Sequence, residues 1–252
     1  MTAVDHELLE IAVDIARRAG ELTLQWFQSS TLTIERKRDG TPVTQADRAA
    51  ETFIRDELRR RFPDDSIVGE EFADHVGSSA RTWYVDPIDG TKAFSHGVPL
   101  YSNLLALFDS AGPAVGVINI PALGEVVYAG RGLGCFHNDA RCTVSTTAAL
   151  DDAYVSTSGL RNWPPTALSR LHDSGCHVRT WGDGYGYLLV ATGRIDAMVD
   201  HEVQPYDVAP MPVILREAGG RFSDFGGFDG PDGGSGIATN GRIHDDLLAL
   251  LT

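Results

Sequence analysis

The run Trp83-Tyr84-Val85-Asp86-Pro87-Ile88-Asp89-Gly90-Thr91-Lys92-Ala93-Phe94 leaves the backbone little choice. It begins as an aromatic and β-branched strand and ends abruptly in a turn that carries two carboxylates three positions apart. Pro87 fixes its own φ and pushes Asp86 into an extended conformation, while Gly90 can take positive φ. Thr91 suits the N-cap of a short helix beginning at Lys92. The product is a rigid bend with both acids on one side. Two carboxylates and an intervening carbonyl, all oxygen donors, suit a hard divalent cation such as Mg²⁺, and the N–H groups of Gly90 and Thr91 at a helix start suit a phosphate. Asp, Pro and Gly are also the commonest turn formers, so the motif alone fits a surface turn equally well. Acids at the ends of other elements decide between the two.

The elements can be placed in order. Leu8, Ala12, Ile15, Ala19, Leu22 and Trp26 draw an apolar stripe along a helix from about Asp5 to Phe27. A strand at Leu32–Glu35 precedes a polar loop, Lys37 to Pro42. Thr44, followed three positions later by Asp47, forms a capping box that opens a helix ending before Pro63. The buried strand Ser66-Ile67-Val68 runs into Gly69-Glu70-Glu71. If it neighbours Trp83–Val85, Glu70 and Asp86 emerge at the same sheet edge. From Ser102 to Ser145, short apolar runs separated by turn residues predict an antiparallel meander without helices. Beyond Ala148, strands and helices alternate, with Asp207 opening a helix that runs to Ala218.

A chain of 252 residues and 42% hydrophobic content can form one large domain or two intimately packed lobes, about 1–147 and 148–252. A net charge of -14 disfavours binding to nucleic acid or an anionic membrane. Cys135, Cys142 and Cys176 form no C-x-x-C pair, and the N-terminus is neither basic nor followed by a long apolar run. These features fit a reducing cytoplasm.

The ordered set Thr44-Gln45-Ala46-Asp47, Gly69-Glu70-Glu71, Asp86-Pro87-Ile88-Asp89-Gly90-Thr91, Tyr206-Asp207 and Glu217-Ala218-Gly219-Gly220 resembles the inositol monophosphatase family over nearly the whole chain. The resemblance implies an α+β fold, a layered α-β-α-β-α sandwich of the inositol monophosphatase and fructose-bisphosphatase type, usually a homodimer. It implies Mg²⁺-dependent hydrolysis of a small phosphate ester. One metal would be held by Glu70, Asp86 and the Ile88 carbonyl, a second by Asp86, Asp89 and Asp207, and Glu70 would contribute to a weaker third. Thr91 and Asp47 would lie near the attacking water, with Glu70 also in the catalytic set. Ala93 and Tyr206 depart from the family's usual residues without removing a ligand, and Lys37 matches a basic residue of the family near the site, although a solvated loop lysine is the expected role.

The stretch Gly182-Asp183-Gly184-Tyr185-Gly186-Tyr187-Leu188-Leu189-Val190-Ala191-Thr192-Gly193 is similar to the histidinol-phosphate phosphatase branch of that family. Histidinol phosphate carries an amine and an imidazole. An extra acid at the pocket mouth favours such a cationic leaving group over a neutral polyol. The resemblance puts Asp183, with Asp200 or Glu202, in that role, beside Asp89 and Asp207. The alternative, which the added acid makes the weaker one, is a surface acid capping the helix after Gly182. Inositol, fructose-bisphosphate or nucleotide phosphatases are the alternatives within the class, and a protein-binding regulatory module with vestigial activity is the alternative outside it.

Overall fold

The structure, a computed structural model, describes residues 2–37, 40–161 and 163–252. Asp5 caps the first helix, α1 (His6–Leu24), accepting from the Glu7 N–H at 3.0 Å. The buried positions of α1 are Leu9, Ala12, Val13, Ile15, Ala16, Ala19, Gly20 and Thr23, so its inner face is rotated towards its small residues. Close packing requires this. A β-carbon on Gly20 would sit 2.2 Å from the Asn119 amide nitrogen, which donates to the Ala16 carbonyl at 3.1 Å.

A hairpin of β1 (Ile34–Arg36) and β2 (Pro42–Thr44) leads into α2 (Gln45–Arg61). The expected capping box is present: Thr44 Oγ1 accepts from Ala46 N at 3.1 Å and the Asp47 carboxylate accepts from Thr44 N at 2.8 Å.

The larger sheet takes its strands in chain order: β3 (Ser66–Gly69), β4 (Thr82–Asp89), β5 (Ser102–Asp109), β6 (Gly112–Ile120), β7 (Glu125–Gly130), β8 (Gly134–His137) and β9 (Ala140–Arg141). In this sheet β3 and β4 pair in parallel and the other strands form the antiparallel meander that the turn residues predict, except that a 3-10 turn, opened by Pro121 and spanning Pro121–Leu123, stands between β6 and β7 where no helix is expected. Asn138 and Asp139, at φ 45° and 69°, make the last tight turn. The short helix α3 (Thr91–Ser95) lies between β4 and β5.

The smaller sheet, order β11-β10-β12-β14-β13, is built from β10 (Tyr154–Ser156), β11 (His177–Arg179), β12 (Ala197–Asp200), β13 (Arg221–Ser223) and β14 (Gly236–Thr239). Between these strands come α4 (Pro165–Asp173), α5 (Asp183–Ala191), α6 (Pro205–Val208) and α7 (Met211–Glu217), and α8 (His244–Leu251) closes the chain. The single helix expected from Asp207 to Ala218 is instead two. Pro210 and Pro212 lack the N–H donors that a continuous helix would need there.

Side-chain alternation fixes the layers. On β5 and β6, Leu105, Leu107, Val115 and Val117 face α1 and α2, packing with Ile15, Ala16, Ile54 and Leu58. Leu104 and Ile118 face the other way, onto Leu188 of α5 and Met211 and Ile214 of α7, which also cover Met198, Phe222 and Ala238 of the smaller sheet. That sheet's outer face, with Val155, Val199 and Ile237, is closed by Leu171 of α4 and Leu247 of α8. The chain is therefore an α-β-α-β-α sandwich. Strands covered on both faces read as continuous apolar runs, which is why Leu104 to Leu107 shows no polar alternation. Among the described residues no helix is long and apolar enough to cross a membrane.

Candidate active site

Strand β4 extends beyond Val85 to Asp89, and its register against β5 shifts between Asp86, opposite Leu104, and Asp89, opposite Ser102. Three steps on one strand against two on the other make a bulge, which bends the strand and re-aims its side chains. Its geometry is pinned locally. Asn103 donates to the Pro87 carbonyl at 2.6 Å, Ile88 N donates to Asp86 Oδ1 at 3.1 Å, and Ser102 Oγ donates to Asp89 Oδ2 at 2.7 Å. Gly184 N, at the start of α5, also donates to Asp89 Oδ2.

Asp207 reaches the same place from α6, where a capping box fixes it: Asp207 Oδ2 accepts from Gln204 N at 2.8 Å. One oxygen each from Asp86, Asp89 and Asp207 lies within 4.8 Å of the others. Glu70 approaches from the end of β3, where Gly69 stands opposite Val85, so β3 and β4 deliver their acids to one sheet edge.

The electrostatics follow from burial. Desolvation first, then Glu70, Asp89 and Asp207, raises Asp86 well above the ordinary carboxyl range. Asp89 is raised by burial and by Asp183 and Asp207. Burial lifts Asp207 to about 6 and Glu70 to about 7. Closely packed, desolvated acids that oppose one another's ionisation form an oxygen-only donor set that a hard divalent cation relieves, so Asp86, Asp89 and Asp207 fit such an ion by chemistry.

Lys37 is not the solvated residue expected of its loop. Its Nζ lies 2.6 Å from Glu70 Oε1 and 2.7 Å from Glu71 Oε1. Burial works against its charge, but the two carboxylates outweigh that and hold its ammonium above the usual lysine range. Pairing with acids far along the chain keeps it from solvent.

Thr91 also departs from expectation. Gly90, at φ +80°, occupies the N-cap of α3, and Thr91 is the first helical residue. Its hydroxyl is thereby free for other partners, lying 3.2 Å from Asp47 Oδ1 and 3.0 Å from the Ile88 carbonyl. Burial raises Asp47 to about 6 against the opposing hydrogen bonds from Thr44.

Asp183 sits at φ 54°, a left-handed conformation uncommon for a residue with a side chain. Its carboxylate presses on the bend: a β-carbon at Gly90 would lie 2.8 Å from Asp183 Oδ2. Burial, then Asp200, raises it to about 6. Asp200 does not join it as a ligand-facing acid. That side chain is buried, accepting from Ser158 N at 2.9 Å, Ser158 Oγ at 3.1 Å and Tyr187 OH at 3.0 Å, and Ser158 Oγ in turn accepts from Asp183 N at 2.8 Å. Asp200 thus supports the turn beneath Asp183. Glu202 is exposed on the loop before α6 and is not part of the three-acid group.

The sequence alone gives no role to Ser102, Ser158 or Tyr187, although two carry a signal: Tyr187 stands in the stretch that resembles the histidinol-phosphate phosphatase branch, and Ser102 is the polar start of an apolar strand across from the bend.

A sequence model of the inositol monophosphatase family matches residues 5–252. The chain is 42% identical to a protein named histidinol-phosphatase from Mycobacterium tuberculosis, over 98% of this chain and 99% of that one. It is 41% identical to a histidinol-phosphatase from Chlorobaculum parvum, over 96% of each. Among solved structures, the extragenic suppressor protein suhB from Bartonella henselae matches with a TM-score of 0.90 at 30% identity, over 98% of each chain. With its five layers, its converging acids and a full-length match in hand, the chain belongs to the inositol monophosphatase family and is a phosphatase of that family.

Proposed function

We propose that the protein is a Mg²⁺-dependent phosphomonoesterase that releases phosphate from L-histidinol phosphate. The observation that carries this reading is Asp183, a carboxylate packed against Gly90 at the edge of the Asp86, Asp89 and Asp207 group. Two relatives above 40% identity that bear the histidinol-phosphatase name support it. The homodimer that the resemblance implies and a cytoplasmic setting belong to the same proposal.

Asp86, Asp89, Asp207, Glu70 and the Ile88 carbonyl would hold the metal. Bound Mg²⁺ would supply charge neutralisation for the phosphoryl oxygens, acidification of a water and stabilisation of the leaving alkoxide. Thr91 Oγ1, whose one proton has Asp47 Oδ1 and the Ile88 carbonyl as alternative acceptors, has its lone pairs left to accept from a water and, with its proton on the Asp47 side, to orient it. Asp47, titrating at about 6, is ionised at neutral pH yet basic enough to take a proton from that water through Thr91. The N–H groups of Gly90 and Thr91 are the phosphate donors of this reading, and the Asp183 carboxylate pairs with the substrate ammonium.

The test is phosphate release at fixed Mg²⁺ from histidinol phosphate, inositol 1-phosphate, fructose 1,6-bisphosphate and a nucleoside monophosphate. Histidinol phosphate should give the highest kcat/KM. Faster release from inositol 1-phosphate would overturn the substrate assignment, and no Mg²⁺-dependent release from any ester would favour the protein-binding alternative.

A further inference from the structure

Asp47, Glu51 and Arg55 follow one another at four-residue intervals on α2, and they are 0%, 0% and 3% exposed. They form a polar stripe among the buried apolar residues Ala46, Ala50, Ile54 and Leu58. Burying charges in this way is costly unless each is paired and hydrogen-bonded. Asp47 is engaged by Thr44 and Thr91. The other two engage each other and the loop after β3.

Glu51 Oε1 accepts from Arg55 Nε at 2.7 Å and from Phe72 N at 3.3 Å, and Glu51 Oε2 accepts from Glu71 N at 2.7 Å. Arg55 completes the grip, with Nη2 donating to the Phe72 carbonyl at 3.0 Å and Nη1 to the Ala73 carbonyl at 3.2 Å. Both backbone groups of Phe72 are thus held by one ion pair. The loop lies directly over it: a β-carbon on Gly69 would be 2.3 Å from Glu51 Oε1 and 2.7 Å from Arg55 Nη2. This close passage is what requires glycine at position 69.

Glu70 stands between Gly69, which rests on the pair, and Glu71, whose N–H is bound by it. We infer that the Glu51–Arg55 ion pair is a positioning element for Glu70, fixing the backbone on either side so that its carboxylate is delivered to the edge where Asp86, Asp89 and Asp207 converge. The inference rests on the metal-dependent reading above. One face of α2 would then set both the Thr91 hydroxyl, through Asp47, and a candidate metal ligand, through Glu51 and Arg55. The planar fork of Arg55 matters because a lysine has no fixed pair of donors for two successive carbonyls.

The test is Mg²⁺ titration of Glu51→Gln and Arg55→Lys, read by the Mg²⁺-induced shift in Tm and by the Mg²⁺ concentration for half-maximal activity. The control is Glu57→Gln, a half-buried acid on the same helix that pairs with Arg18, Arg60 and Arg61 rather than with the loop after β3. Glu51→Gln should need about tenfold more Mg²⁺ by both readouts, as loss of a supporting partner typically does, while the control stays at wild type. A lower Tm without Mg²⁺ but an unchanged Mg²⁺ midpoint would make the pair merely structural and overturn the inference. Should Glu51→Gln fail to fold, Arg55→Lys decides alone, a raised midpoint supporting the inference and a wild-type one refuting it. A wild-type chain with no Mg²⁺ response would instead overturn the metal reading itself, and this inference with it.

Discussion

Replacing Asp207 by asparagine should stabilise the metal-free protein and weaken the protein in Mg²⁺. The Asp207 carboxyl is raised from 3.8 to about 6, chiefly by burial. The folded chain therefore keeps that proton up to about pH 6, whereas the unfolded chain releases it near 3.8. Between those values the folded state binds more protons, so stability falls as pH rises through the window and stays reduced above it. At pH 7.5 the deficit is ~3 kcal/mol. Asparagine is isosteric, its Oδ1 can still accept from Gln204 N, and it carries no charge to desolvate. For a chain of this size each kcal/mol moves Tm by roughly 2–4 °C, so the variant should melt ~5 °C or more above wild type in chelator at pH 7.5. Near pH 4 that advantage should shrink as the wild-type carboxyl takes up its proton.

Mg²⁺ should reverse the order. A ligand at a thousand times its Kd adds ~4.1 kcal/mol to the wild type, which exceeds the charge deficit, and the variant, lacking one of the three converging acids, should gain far less. Melts at pH 4.5 and 7.5, in chelator and in excess Mg²⁺, read all four conditions. If the variant melts below wild type in chelator at pH 7.5, the buried charge is not the liability described. If it gains as much from Mg²⁺ as wild type does, Asp207 is not a ligand.

Two substitutions separate chemistry from specificity. Asp183→Asn should lower kcat/KM for histidinol phosphate ~30-fold or more, the ~2 kcal/mol expected for one side of a buried charge pair, while an aryl phosphate changes little; equal losses would make Asp183 architectural. Thr91→Val, which keeps the shape and removes the hydroxyl, should lower kcat ~100-fold or more, as loss of a positioned proton-transfer group does, whereas Thr91→Ser stays close to wild type. A fully active Thr91→Val would return that hydroxyl to a purely structural role.

What could be read from sequence was what short-range rules govern. The Thr44 and Asp47 capping box, the meander from Ser102 and the placing of Glu70 beside Asp86 all follow from spacing, turn chemistry and strand pattern. What escaped depends on partners distant in sequence. Lys37 looks solvated until the fold brings Glu70 and Glu71 to it. Asp200 looks like a candidate substrate-binding acid until Ser158 and Tyr187 occupy it. Glu51 and Arg55 look like an ordinary helical ion pair, because the loop they grip lies some twenty residues away. Thr91 falls one residue inside the N-cap position that its residue type suggests, since a left-handed glycine can take the N-cap as readily as a threonine.

The three converging acids share a further arrangement. Asp86 receives Ile88 N on Oδ1, Asp89 receives Ser102 Oγ and Gly184 N on Oδ2, and Asp207 receives Gln204 N on Oδ2. Each carboxylate is oriented by hydrogen bonds to one oxygen, from its own bend or cap or from a neighbouring element, which leaves the second oxygen to meet its neighbours or a cation. Side chains held in this way cannot relieve their repulsion by swinging apart, so the cluster remains assembled although its charges oppose one another. The cost falls on the stability of the metal-free chain, and the gain is a donor set that needs little reordering when a cation enters. Fixed geometry and unfavourable electrostatics are thus two consequences of one design, and removing a single charge while keeping its shape separates them.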